Sequence, residues 1–204
     1  MRVLLTGDSI IARQEGKNEP HLNWNLQQLL PEIELENTAV SGINSGAFFA
    51  KLNELVLSVK QCDNLVILLG TNDLAMHKQV PARQFKQNME IISSAIICQY
   101  YPPHVLLVSP PAVDEAKQRV RNNTLVAEYA QIVKEVAHEY HFRYADLAQA
   151  MRDTGDLSEI CQGVKNDGLH FGDRGYEILG KLIAENLKQM QKGSQFAVLY
   201  FSLF

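Results

Sequence analysis

The sequence predicts a three-layer α/β/α domain built on a five-stranded, mainly parallel sheet. Three observations carry this. Short apolar runs alternate with helical apolar patterns from one end of the chain to the other, the signature of successive βαβ units. One run, Leu65 to Leu69, is unbroken, as expected of a strand covered by helices on both faces. The length of 204 residues, with 46% apolar content, suits one domain that buries a core without disulfide or metal staples.

The elements follow in order. Val3-Leu4-Leu5 reads as the first buried strand. Residues 13 to 21 are polar and read as a surface loop. Leu22, Leu26, Leu29 and Leu30 fall on one helical stripe, closed by Pro31. Ile33 to Val40 is the second strand candidate. Phe48, Leu52, Leu55 and Val59 recur at helical spacing, and Leu65 to Leu69 is the third strand. Phe85, Met89, Ile92 and Ile96 mark a helix; Val105 to Val108 is a strand ended by Pro110-Pro111. Leu125, Tyr129, Ile132, Val133, Val136 and Tyr140 mark a long helix, Phe142 to Asp146 a short strand. Tyr176, Leu179, Ile183, Leu187 and Met190 mark the last helix. Right-handed crossovers leave few ways to wind such a chain. One domain is expected over 1–193, followed by an apolar tail, 194–204. The tail reads equally as an extra edge strand, an arm packing on a second copy in a homo-oligomer, or a segment apart from the fold.

Composition narrows the functional classes. A net charge of −4 disfavours a role that depends on binding nucleic-acid backbones. The three cysteines, Cys62, Cys98 and Cys161, form no CxxC pair, so neither a disulfide framework nor a zinc knuckle is indicated. That usage suits a reducing, cytoplasmic location. Gly7-Asp8 interrupts the first apolar run too early for a signal-peptide core. No segment reaches the roughly 18–20 apolar residues that span a bilayer. The GxSxG elbow is absent; Gly42 to Gly46 matches it only loosely. GxGxxG and P-loop patterns are absent too.

Ligands of such sheets sit beyond the carboxyl ends of the strands. Four segments fall there: Gly7-Asp8-Ser9, Ser41-Gly42-Ile43-Asn44, Gly70-Thr71-Asn72-Asp73, and Asp167-Gly168-Leu169-His170 before the last helix. A hydrolytic serine needs a base, the base an orienting acid, and the developing oxyanion a set of donors. Ser9 stands at a helix start, where a backbone N–H lacks an internal partner. Gly42 brings its N–H close to a substrate because no Cβ intervenes. Asn72 offers an amide with two donors. His170 is the natural base. Asp167, three residues earlier, reaches it through a local turn. Taken singly, each has a plainer reading: a turn for Gly-Asp-Ser, Gly42 and Asp167-Gly168, a helix cap for Asn72-Asp73, a structural role for a lone histidine. Their joint placement changes the odds. Asp73 braces the site rather than serving as the acid, and Asp8, Asn44 and His77 complete the pocket candidates. Trp24 is expected in the core or a cleft wall, Cys161 near the pocket, and His138 and His141 on a solvated face.

Taken together and in this order, the four blocks resemble those of the SGNH hydrolases, also called GDSL esterases/lipases, with the surrounding pattern fitting to about residue 190. His77-Lys78-Gln79-Val80, Ser109-Pro110-Pro111 and Val113-Asp114-Glu115 look most like the small cytosolic branch that includes isoamyl-acetate-hydrolysing esterases. Asn44 and Ser45 depart from the Asp or Glu and Thr that others often carry there. The resemblance implies a flavodoxin-like sheet and hydrolysis of a small-molecule ester through an acyl-enzyme, without metal or organic cofactor. It implies Ser9 as nucleophile, His170 as base and Asp167 as its partner. The Ser9 and Gly42 N–H groups and the Asn72 amide would form the oxyanion hole. A thioesterase or lysophospholipase shares these residues, and a binding module that has lost turnover is the reading outside enzymes.

Overall fold

A computed structural model describes residues 1–201, with side chains through residue 192. The chain runs β1 (Arg2–Gly7), α1 (Ser9–Ala12), α2 (His21–Leu29), β2 (Glu34–Asn37), α3 (Ser45–Ala50), β3 (Asn64–Leu68), α4 (Ala82–Ile96), β4 (Val105–Val108), α5 (Asn123–Glu139), β5 (Arg143–Ala145), α6 (Leu147–Thr154), α7 (Leu157–Ile160) and α8 (Asp173–Phe201). The strands are all parallel, in the order β2-β1-β3-β4-β5. Winding therefore reverses between β1 and β3, the place where doubly wound sheets open a crevice. On one face α2 and α6 pack on α8; on the other α3 and α5 pack on α4. The expected three-layer architecture is the one observed.

The centre of the sheet is apolar on both sides. Val3, Leu4, Leu5, all of Leu65 to Leu68, and Val105 to Val108 are buried, because helices cover both faces of these strands. The helical stripes meet them: Leu22 and Leu26 from α2, Phe85, Met89, Ile92 and Ile96 from α4, and Tyr176, Leu179, Ile183 and Leu187 from α8 are buried. Gly7 is where β1 leaves the sheet. Its φ of +139° lies outside what L side chains readily adopt, and a Cβ there would stand 2.1 Å from the Leu68 carbonyl oxygen. Only glycine lets the chain turn so tightly against β3, and that turn sets Asp8 and Ser9 beside the end of β3.

Four expectations need correction. The second strand is shorter than Ile33 to Val40: β2 ends at Asn37, whose Oδ1 turns back to accept the Ala39 N–H at 3.0 Å, although the Thr38 and Val40 N–H groups still donate to the Leu5 and Gly7 carbonyls. The pattern through Val59 is not one helix: after α3 the chain forms a single π turn over Asn53–Leu57. Helices α6 and α7 were not expected; both are short, and Asp146 and Asp156 cap them through their side chains. Trp24 is not in the core. It is 39% exposed on α2, with Lys17 Nζ 4.3 Å from its ring centroid.

The backbone of residues 194–201 continues α8 rather than adding an edge strand. The tail's side chains, on which the packing-arm reading depends, lie outside the described residues. Among the described residues no helix is long and apolar enough to cross a membrane.

Candidate active site

The first and last of the four blocks meet. Ser9 opens α1, and the Ile10 N–H is capped by Asp8 Oδ1 at 2.9 Å. Ser9 Oγ lies 3.0 Å from His170 Nε2, across 161 positions of sequence. His170 Nδ1 lies 2.8 Å from Asp167 Oδ2. A carboxylate only accepts, so Nδ1 carries the proton and Nε2 presents a lone pair to the Ser9 hydroxyl. Asp167 Oδ1 accepts the Leu169 and His170 N–H groups at 3.1 and 3.0 Å, which fixes the turn that presents the ring. Ser9 and His170 are buried and Asp167 is half-buried.

Burial lowers the pKa of His170 below its ordinary value, against the opposing pull of the Asp167 hydrogen bond and charge. For Asp167, burial pulls the carboxyl upward. The hydrogen bonds from the His170 backbone and ring, with that from Leu169, outweigh it and hold the group below the usual range. The base is therefore neutral, and its partner charged, across the neutral range.

The second and third blocks lock together beside this dyad. Asn72 Nδ2 donates to the Ile43 carbonyl at 2.9 Å. Asp73 accepts the Ser45 N–H at 2.9 and 3.1 Å and the Ser45 hydroxyl at 2.5 Å. Asn88 of α4 extends the chain, donating to Ser45 Oγ at 2.8 Å. Gly42 is thereby held at the sheet edge in an exposed turn with φ +83°. The Val40 N–H donates to the Gly7 carbonyl at 2.9 Å, which joins this turn to the Ser9 segment. Among the described residues, the Ser9 and Gly42 N–H groups have no protein acceptor.

The segment after β4 holds both halves of the site, and sequence reasoning gave it no such role. The Asp114 N–H donates to the Gly168 carbonyl at 2.9 Å, and Gln118 Nε2 donates to the Asp167 carbonyl at 3.2 Å. Three residues on, Arg121 Nε donates to the Thr71 carbonyl at 2.7 Å, and its Nη2 stands 3.5 Å from Asn72 Oδ1. The contacts span about fifty positions, so no local pattern signals them.

The remaining candidates are placed as follows. Asn44 caps α3, accepting the Ala47 N–H at 2.9 Å. His77 stands exposed on a 3₁₀ turn, Met76–Lys78. Cys161 does not open onto the site: it is buried in the core, its Sγ facing the Ala112 carbonyl, and burial pushes its thiol up to about 12. His138 and His141 are exposed, as expected. Among the described residues no group of three acidic, histidine or cysteine side chains could hold a metal ion.

Asp8 is fully buried, and its Oδ2 has no hydrogen-bond partner among the described residues. Burial raises its carboxyl to about 6, despite lowering contributions from Thr71, Ile10 and Arg121. The folded chain therefore holds a proton that the unfolded chain releases near 3.8. This group's contribution to stability is lost as pH climbs from about 4 to 6, a penalty of roughly 3 kcal/mol. Asp8→Asn keeps an acceptor for the Ile10 cap and removes the charge. It is expected to melt higher than the parent at pH 8, with the gap narrowing from about pH 6 and nearly gone by about pH 4. Thermal melts across that range check it; equal gaps at both ends would refute the assignment.

Comparison with known proteins identifies the family. The profile of the GDSL-like lipase/acylhydrolase family matches residues 5–178. A GDSL esterase/lipase of Arabidopsis thaliana is 25% identical, over 95% of this chain and 88% of its own length. The isoamyl acetate-hydrolysing esterase 1 homologue of Homo sapiens is 26% identical, over 87% of this chain and 77% of its own. The crystal structure of a lipase/acylhydrolase from Enterococcus faecalis superposes with a TM-score of 0.82 at 28% identity, covering 92% of this chain and 95% of the other. With the profile matching most of the chain, including all four blocks in full and both ends of the Ser9–His170 contact, the chain belongs to the GDSL-like lipase/acylhydrolase family, whose members hydrolyse ester bonds.

Proposed function

We propose that the chain is a serine esterase acting on small, short-chain acyl esters, with one catalytic domain over residues 1–193. The observation that carries the reading is the continuous relay from Ser9 Oγ to His170 Nε2 at 3.0 Å and from His170 Nδ1 to Asp167 Oδ2 at 2.8 Å. In the reaction, His170 Nε2 takes the Ser9 proton while Oγ attacks the ester carbonyl carbon. The carbonyl oxygen becomes an oxyanion, received by the Ser9 and Gly42 N–H groups and the second N–H of the Asn72 amide. The tetrahedral species collapses, the C–O bond to the alcohol breaks, and His170 returns the proton to the leaving oxygen. Water, deprotonated by His170, then cleaves the acyl-enzyme and releases the acid. Preference for a short acyl group draws its support from the isoamyl acetate-hydrolysing relative. A ladder of acyl lengths on one chromogenic leaving group measures it.

Reaction with a fluorophosphonate tests the reading directly. The probe is expected to attach to Ser9 in the folded protein and nowhere after denaturation. Its rate should follow the neutral fraction of His170, rising with pH and levelling off with a midpoint below 6.5, since burial lowers that group. An unlabelled Ser9, or a midpoint well above 7, would remove the assignment.

A further inference from the structure

We infer that Arg121 is a positioning residue for ester hydrolysis, one that holds the Asn72 amide with its nitrogen end toward the oxyanion. The inference rests on the esterase reading above and adds to it a residue outside the four blocks. The two ends of an amide side chain are alike in shape, so something chemical must choose between them. The choice matters. With the nitrogen end forward, one N–H is used on the Ile43 carbonyl at 2.9 Å and the other is left for the substrate oxygen. With the oxygen end forward, a lone pair would face both the Ile43 carbonyl and a developing negative charge.

Arg121 sits at the other end of that amide. Its Nε is anchored on the Thr71 carbonyl at 2.7 Å, one residue from Asn72, so the guanidinium cannot swing away. Its Nη2 then stands 3.5 Å from Asn72 Oδ1. A guanidinium has only donors, so it tolerates an oxygen there and repels an NH₂ group. The contact is long for a hydrogen bond, but a cation at that distance still polarises the amide and strengthens its N–H groups as donors. Arg121 is half-buried, with the Asp8 and Asp167 carboxylates near enough to act on it, so its charge is poorly screened by solvent. The plainer role is purely mechanical, tying the segment after β4 to the end of β3.

A double-mutant cycle separates the two roles. Turnover of p-nitrophenyl acetate is measured for the parent, Asn72→Ala, Arg121→Ala, the double variant and Ser9→Ala. Asn72→Ala is expected to lower kcat roughly 100-fold or more. Arg121→Ala should lower kcat roughly 10-fold and leave KM within about twofold, because the lost interaction forms only as charge develops. Added to Asn72→Ala, the Arg121 change should cost less than about twofold, since the amide it orients is gone. Where Arg121→Ala fails to fold, Arg121→Gln takes its place in the same cycle. An unchanged kcat, or the full Arg121 factor persisting without Asn72, overturns the inference. A fully active Ser9→Ala overturns the esterase reading and this inference with it. An inactive Ser9→Ala beside an additive Arg121 effect overturns the Arg121 role alone.

Discussion

Ser9→Ala is expected to reduce ester turnover by about 10⁵-fold or more, the scale of loss when a hydrolytic nucleophile is deleted. The size follows from the reaction, because no other group described at the site can accept the acyl chain. Donors left in place still bind and polarise an ester, so a slow hydrolysis by water remains. The fold should survive. Ser9 opens α1 but does not cap it; that task falls to Asp8, whose carboxylate accepts the Ile10 N–H at 2.9 Å. The hydroxyl's hydrogen bond is to His170, and its removal costs about 1 kcal/mol. Alanine is also the better helix former. A melting temperature within a few degrees of the parent, with turnover gone, separates loss of chemistry from loss of structure. Undiminished turnover in a folded variant would reject Ser9 as the nucleophile.

Much of this was legible from the residues because two physical constraints write themselves into sequence. Strands covered on both faces must be apolar throughout, so Leu65 to Leu69 and Val105 to Val108 stand out, and both are buried. Sites of doubly wound sheets lie at strand ends, so polar blocks directly after such runs mark them in order. Ser9 and His170 are far apart in the chain yet meet at 3.0 Å, because β1 is central and the His170 segment crosses the same edge before α8. What was hidden depends on partners distant in sequence. Arg121 reads as an ordinary loop arginine until the end of β3 is laid beside it. Trp24 has the composition of a core residue, but the apolar stripe of α2 is carried by Leu22 and Leu26, which turns the ring outward. Helices α6 and α7 are too short for a periodic pattern, and their starts rest on the side chains of Asp146 and Asp156.

His170→Ala should match the loss at Ser9, whereas Asp167→Ala should be milder by roughly 10- to 100-fold. Without the imidazole, no group takes the Ser9 proton or returns it to the leaving alcohol. Without Asp167, the imidazole remains but is neither oriented nor electrostatically supported. Water reaches the half-buried carboxylate position and partly replaces it. The pH profile should move in a defined direction. Burial lowers the His170 pKa, and the Asp167 hydrogen bond and charge oppose that lowering. Deleting Asp167 leaves burial with less opposition, so the midpoint of the activity profile should fall further below that of the parent. Asp167→Asn sharpens the test. It preserves shape and an acceptor for the Leu169 and His170 N–H groups, which donate to Oδ1 at 3.1 and 3.0 Å. Its NH₂ end, however, would donate to Nδ1 and drive the ring proton to Nε2, where it faces the Ser9 hydroxyl. The amide variant should therefore be no better than alanine, although it disturbs the turn less. If Asp167→Ala instead keeps parental turnover and an unshifted profile, another acid supports His170. The 2.8 Å contact would then be a strut of the turn rather than part of the proton relay.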